Sequence, residues 1–81
     1  MRKYNGKLVD VIKRGVGVTD RYYEGLSGRN SEVKVDDNND VLLTIDGCTH
    51  IMGKLLSYDL YPDTIYVYTR TKLIMVGLNE Y

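Results

Sequence analysis

The sequence has no phenylalanine and no tryptophan, a single cysteine, a single proline and a single histidine among its 81 residues. Each scarcity excludes something. One thiol, Cys48, cannot close an internal disulfide, so the covalent staple of small secreted domains is missing and a reducing, cytoplasmic setting is expected. One histidine and one cysteine leave no familiar zinc-ligand spacing, and no metal or other cofactor is expected. The phosphate-cradling G-x-x-x-x-G-K-[ST] pattern and the G-x-S-x-G nucleophile elbow are both absent, which removes two large enzyme classes. The basic start Met1-Arg-Lys-Tyr-Asn-Gly6 is not followed by an apolar stretch, and no apolar run approaches the roughly 20 residues of a membrane span. No membrane partner is expected.

Charge of one sign is lacking as well. Eleven Lys plus Arg balance eleven Asp plus Glu, so no overall field draws the chain to nucleic acid. Locally the balance fails: Arg2, Lys3, Lys7, Lys13 and Arg14 face only Asp10 over residues 1–14, and the middle of the chain is acidic. Solvated faces explain this; docking or self-association by opposite patches is the sharper alternative.

What is present is tyrosine, eight residues of it. A tyrosine ring supplies apolar area, but its hydroxyl needs a partner once desolvated, which suits rings lying half in a core and half at a contact surface.

The chain carries no repeat, low-complexity tract or linker, and residues 1–81 are expected to form one domain. At this length only about 60–65% of the unfolded surface is buried on folding. Gly6–Lys13 is apolar and β-branched, and Arg14-Gly15 offers a turn into a second alternating run, Val16–Tyr22, which predicts a hairpin. The competing expectation is a short helix capped by Thr19 or Asp20, running through Tyr22, Tyr23 and Leu26 to Gly28. Gly25–Asn30 reads as a loop. Glu32–Val35, the turn formers Asp36–Asp40 and Val41–Asp46 make the clearest hairpin. Residues 51–58 fit a strand better than a helix. Tyr61-Pro-Asp-Thr64 is a turn, leading to Ile65–Thr69 with Ile65 and Val67 on one face and Tyr66 and Tyr68 on the other. Lys72–Gly77, with four consecutive apolar residues, suggests a central strand buried on both faces. The expected fold is mostly β: a small antiparallel barrel or curled sheet of about six to seven short strands, with room for one short helix. The alternative is one helix on a four- to five-stranded sheet.

Asp46-Gly47-Cys48-Thr49-His50 is the one cluster of catalytic residue types. Fully extended, it would place a carboxylate, a thiol and an imidazole on one face. A cysteine nucleophile also needs a stabilised thiolate, oxyanion donors and a pocket, and Gly47 favours a turn, so Cys48 reads as structural, His50 as a surface histidine, and no enzyme is expected. The candidate binding residues are Tyr22, Tyr23, Arg29, Asn30, Tyr66, Tyr68 and Arg70. The expected function is a small non-enzymatic binding protein, an inhibitor or accessory protein of the kind phages and mobile elements carry, acting on another protein and able to self-associate. The alternative is a nucleic-acid or nucleotide binder that uses the basic N-terminus, the Gly25–Asn30 loop and the tyrosines as stacking surfaces.

Overall fold

Two-residue alternation recurs along the chain, and the strands follow it. In the computed structural model, which describes residues 1–78, they are β1 (Tyr4–Lys13), β2 (Asn30–Val35), β3 (Asp40–Ile45), β4 (Cys48–Leu60), β5 (Thr64–Thr69) and β6 (Lys72–Leu78). Each pairs antiparallel with the next, and β6 returns to β1 to close a six-stranded barrel. The fold is therefore the mostly-β barrel expected; no helix is laid on an open sheet. Closure removes most sheet edges.

The inward set is Leu8 and Val11 of β1, Val33 of β2, Val41, Leu43 and Ile45 of β3, Met52 of β4, Ile65 and Val67 of β5, and Ile74 and Val76 of β6, all buried. On β1 the spacing from Leu8 to Val11 is three rather than two. A bulge between Leu8 and Asp10 absorbs the extra residue and turns Val9 outward, as a bulge does by re-aiming the side chains beyond it.

The hairpin expected after Gly15 is cut short. Gly15 and Gly17 adopt φ of 94° and 72°, which breaks the extended run, and what remains is one antiparallel bridge between Ile12 and Thr19, flanked by hydrogen bonds from the Lys13 N–H to the Val18 carbonyl and from the Asp20 N–H to the Val11 carbonyl. The helical alternative shrinks to a single 3-10 turn, Arg21–Tyr23, capped by Asp20, whose carboxylate accepts a hydrogen bond from the Tyr22 backbone N–H at 3.0 Å. Instead of pairing as a strand, residues 14–29 run beside β1. The backbone N–H of Leu8 donates to Arg29, that of Gly28 to Leu8 and that of Asp20 to Val11. This connection inserts Tyr23 into the core, where its hydroxyl donates to Met52 Sδ at 3.3 Å.

Residues 51–58 are extended, within the longest strand. β4 changes neighbours along its length: Cys48–Lys54 pair with β3 and Leu55–Leu60 with β5, with a register shift in each pairing. β6 departs from its expectation. Ile74 and Val76 face inward while Leu73 and Met75 lie half-buried outside, because a closed sheet has no central strand and its outer surface meets water. Among the described residues no helix is long and apolar enough to cross a membrane, and every buried side-chain nitrogen and oxygen has a hydrogen-bond partner.

Candidate functional site

The β3–β4 connection is a two-residue turn, Asp46-Gly47, with φ of 49° and 87°. Positive φ at both positions is the geometry of the primed hairpin turns, whose twist matches that of the strands they join, and Asp-Gly is a favoured pair there. The turn takes Asp46 off the strand. Cys48 lies opposite Ile45 and His50 opposite Leu43, so these two share the inward-facing side at the barrel mouth without the carboxylate. Among the described residues no three His, Cys, Asp or Glu side chains form a group able to hold a metal ion.

Facing this hairpin is the 14–29 connection. Between them lies a cleft of about 360 Å³, lined by Tyr22, Leu26 and Arg29 on one wall and Ile45, Asp46, Cys48 and His50 on the other. Its aromatic side is a set of edge-on contacts. Tyr22 meets Tyr23 with ring centroids 4.9 Å apart and His50 at 5.5 Å, and Tyr23 meets His50 at 5.6 Å, within the range of favourable edge-to-face pairs. Tyr22 is held by this packing yet remains 67% exposed.

The charged side of the cleft is neutralised from within. Arg29 Nη1 donates to Asp46 Oδ2 at 2.7 Å, and both side chains are partly exposed, so the pair adds little to stability while occupying the guanidinium. A smaller hollow of about 180 Å³ lies beyond Asp46, lined in part by Asn30, Ser31 and Thr44. There Lys7 Nζ donates to Asn30 Oδ1 at 2.6 Å.

At the head of the 3-10 turn, Asp20 bonds Lys72. The Lys72 hydrogen bond holds the Asp20 carboxyl below its ordinary value, against desolvation, which pushes it up. The Tyr23 hydroxyl is raised, first by burial and then by the nearby Asp20 charge.

Tyr22, Tyr23 and Arg29 meet at this mouth with Asn30 beside them, but Tyr23 is buried and offers no free surface. Tyr66, Tyr68 and Arg70 belong elsewhere. Tyr66 and Tyr68 lie half-buried on the outer face of β5, Tyr66 edge-on to Tyr61 at 5.4 Å and Tyr68 under the Arg14 guanidinium at 5.7 Å. Desolvation and then the Asp59 carboxylate push the Tyr68 hydroxyl up. Arg70 is exposed in the β5–β6 turn. The candidates therefore fall into two groups, and no ring contact or ion pair joins them among the described residues.

Sequence reasoning passed over Leu26 and Ile45 as cleft residues, because one lies in an irregular connection and the other at a strand end. It also missed Leu56, Tyr58, Leu60 and Tyr61, all exposed. The alternation Leu56, Tyr58, Leu60 was the available signal. No protein family, curated protein or solved structure matches the chain.

Proposed function

We propose that the protein is a non-enzymatic binding protein, an inhibitor or accessory protein, that takes an apolar side chain of another protein into the cleft between residues 20–30 and the β3–β4 turn. The observation that carries this reading is the pairing of Arg29 with Asp46. It leaves the cleft with no net charge to attract a phosphate, beside a Tyr22 ring 67% exposed. An immobilised aromatic ring at the rim of an apolar pocket is the usual composition of an interface anchor, since little rotamer freedom is lost on binding.

The nucleic-acid reading draws less support from the same surface. Lys3 lies 3.7 Å from Glu32, Lys54 is 3.0 Å from Asp40, and Lys7 is engaged by Asn30, so these three lysines are each held by a neighbour. Phosphate binding depends on a basic groove and weakens steeply with salt.

The test is affinity capture with the wild type and with Tyr22→Ser, at low and high salt, followed by alkylation of Cys48. A protein partner retained at both salt concentrations and lost with Tyr22→Ser is the expected outcome. Because Cys48 lines the cleft, the bound partner should also slow its alkylation. Capture of nucleic acid alone, released by salt, or a partner indifferent to Tyr22→Ser, would overturn the reading.

A further inference from the structure

The second half of β4 pairs with β5 on one side only. Asp40 opposite Lys54 is the last contact with β3, and beyond it no backbone hydrogen bond crosses the other edge of residues 56–60 among the described residues. The phase of the ladder shows which groups are left over. The Tyr61 backbone N–H donates to the Thr64 carbonyl at 2.8 Å, so that pair is hydrogen-bonded, and alternation makes Asp59–Tyr66 and Ser57–Tyr68 the next bonded pairs. Tyr58 and Leu60 therefore direct their N–H and C=O groups outward. The side chains there are apolar and uncovered: Leu56 is 54% exposed, Tyr58 41% and Leu60 52%. An open, apolar edge of this kind is what soluble proteins ordinarily blunt with charge or proline.

We propose that this edge pairs with the same edge of a second copy, forming a two-fold dimer with the two β4 strands antiparallel and Tyr58 opposite Tyr58. An isologous contact requires the segment to complement itself, and residues 56–60 do so in one register. Centred on Tyr58, each Leu56 faces Leu60 of the second copy and each Ser57 faces Asp59, so the carboxylates stay apart. A register centred on Asp59 sets two carboxylates directly opposite each other, which is destabilising. A register centred on Leu60 brings Tyr58 opposite Pro62, which has no N–H to give. A register centred on Ser57 would need Lys54 opposite Leu60, and Lys54 already pairs with Asp40 of β3; charge, proline and that pairing together select a single alignment, and the barrels would join through a continuous sheet.

The proposal is independent of the cleft, since Tyr22 plays no part in it. Its test is sedimentation equilibrium over a range of concentrations on the wild type, Tyr58→Lys and Ser57→Lys, each checked for fold by circular dichroism. The wild type should self-associate to a dimer, and Tyr58→Lys, which sets two ammonium groups face to face, should be monomeric. Ser57→Lys sets an ammonium group opposite Asp59 at two symmetric places, and on the scale of cross-strand ion pairs the dimer should tighten on the order of threefold to tenfold. A wild type that stays monomeric at every concentration, leaving the edge for a strand of another protein, would overturn the proposal. So would a dimer that Ser57→Lys leaves unchanged, a result that decides the matter even if Tyr58→Lys fails to fold.

Discussion

Asp20 does two jobs at once: it caps the 3-10 turn through Tyr22 and anchors Lys72 across the barrel mouth. The two are separable, because asparagine caps nearly as well as aspartate but brings no charge. The Lys72 hydrogen bond lowers the folded-state value of Asp20 below the ordinary 3.8. A depressed carboxylate contributes stability that is complete above its unfolded value and is lost as pH falls through the folded one. Asp20→Asn is therefore expected to cost about 1.5–3 kcal/mol near neutral pH, the range of a hydrogen bond to a charged group, and to cost progressively less below about pH 4. Urea melts of both proteins at a series of pH values would read this directly. Equal losses at acid and neutral pH would show that the pair with Lys72 contributes nothing. None of this was legible in the sequence beyond Asp20 as a cap, since its partner, Lys72, lies at the far end of the chain.

At the level of elements, the β1–β6 seam puts two glycines on neighbouring rungs with unequal demands. A Cβ on Gly6 would fall onto the Gly77 carbonyl, backbone against backbone, whereas one on Gly77 would meet Val9 Cγ2 at 3.5 Å, an ordinary contact. Gly6→Ala should therefore lose about 3 kcal/mol or more, as overpacking with no flexible side chain to yield does, and Gly77→Ala about 1 kcal/mol or less. Thermal melts of the two variants would give the ranking, and near-equal losses would mean that the seam can spread. The same scale shows where the sequence is readable. The β2–β3 and β5–β6 hairpins are written locally, as apolar alternation around Asp36–Asp40 and Arg70-Thr71. The 14–29 connection is not: Val16 and Val18 alternate like a strand yet stand exposed, because what fixes that segment is the barrel mouth it must close. For the same reason Tyr22, Arg29 and the Asp46–His50 cluster could be picked out as residues, while their meeting across one cleft could not. The consecutive apolar residues of β6 likewise mark a strand without saying that one of its faces is outside.

For the molecule as a whole, closure joins residues near opposite ends of the sequence, Lys7 opposite Gly77 and Val11 opposite Ile74. The remaining pairings link consecutive strands. Local hairpins form at small entropic cost, whereas the seam must first close nearly the entire chain into a loop, and topologies dominated by distant contacts fold in milliseconds to seconds. A meander that assembles from β2 to β6 before β1 docks on it would have Val11 still unpacked at the transition state while Leu43, within the β2–β3 and β3–β4 pairings, is already in place. Both side chains are fully buried, so Val11→Ala and Leu43→Ala should each cost about 2–4 kcal/mol at equilibrium. The cost is expected to divide differently between the rates: Val11→Ala should mainly speed unfolding, and Leu43→Ala should slow folding. Chevron plots of the two variants measure that division. A folding rate lowered as much by Val11→Ala as by Leu43→Ala would mean that the seam belongs to the nucleus and the barrel closes as it collapses.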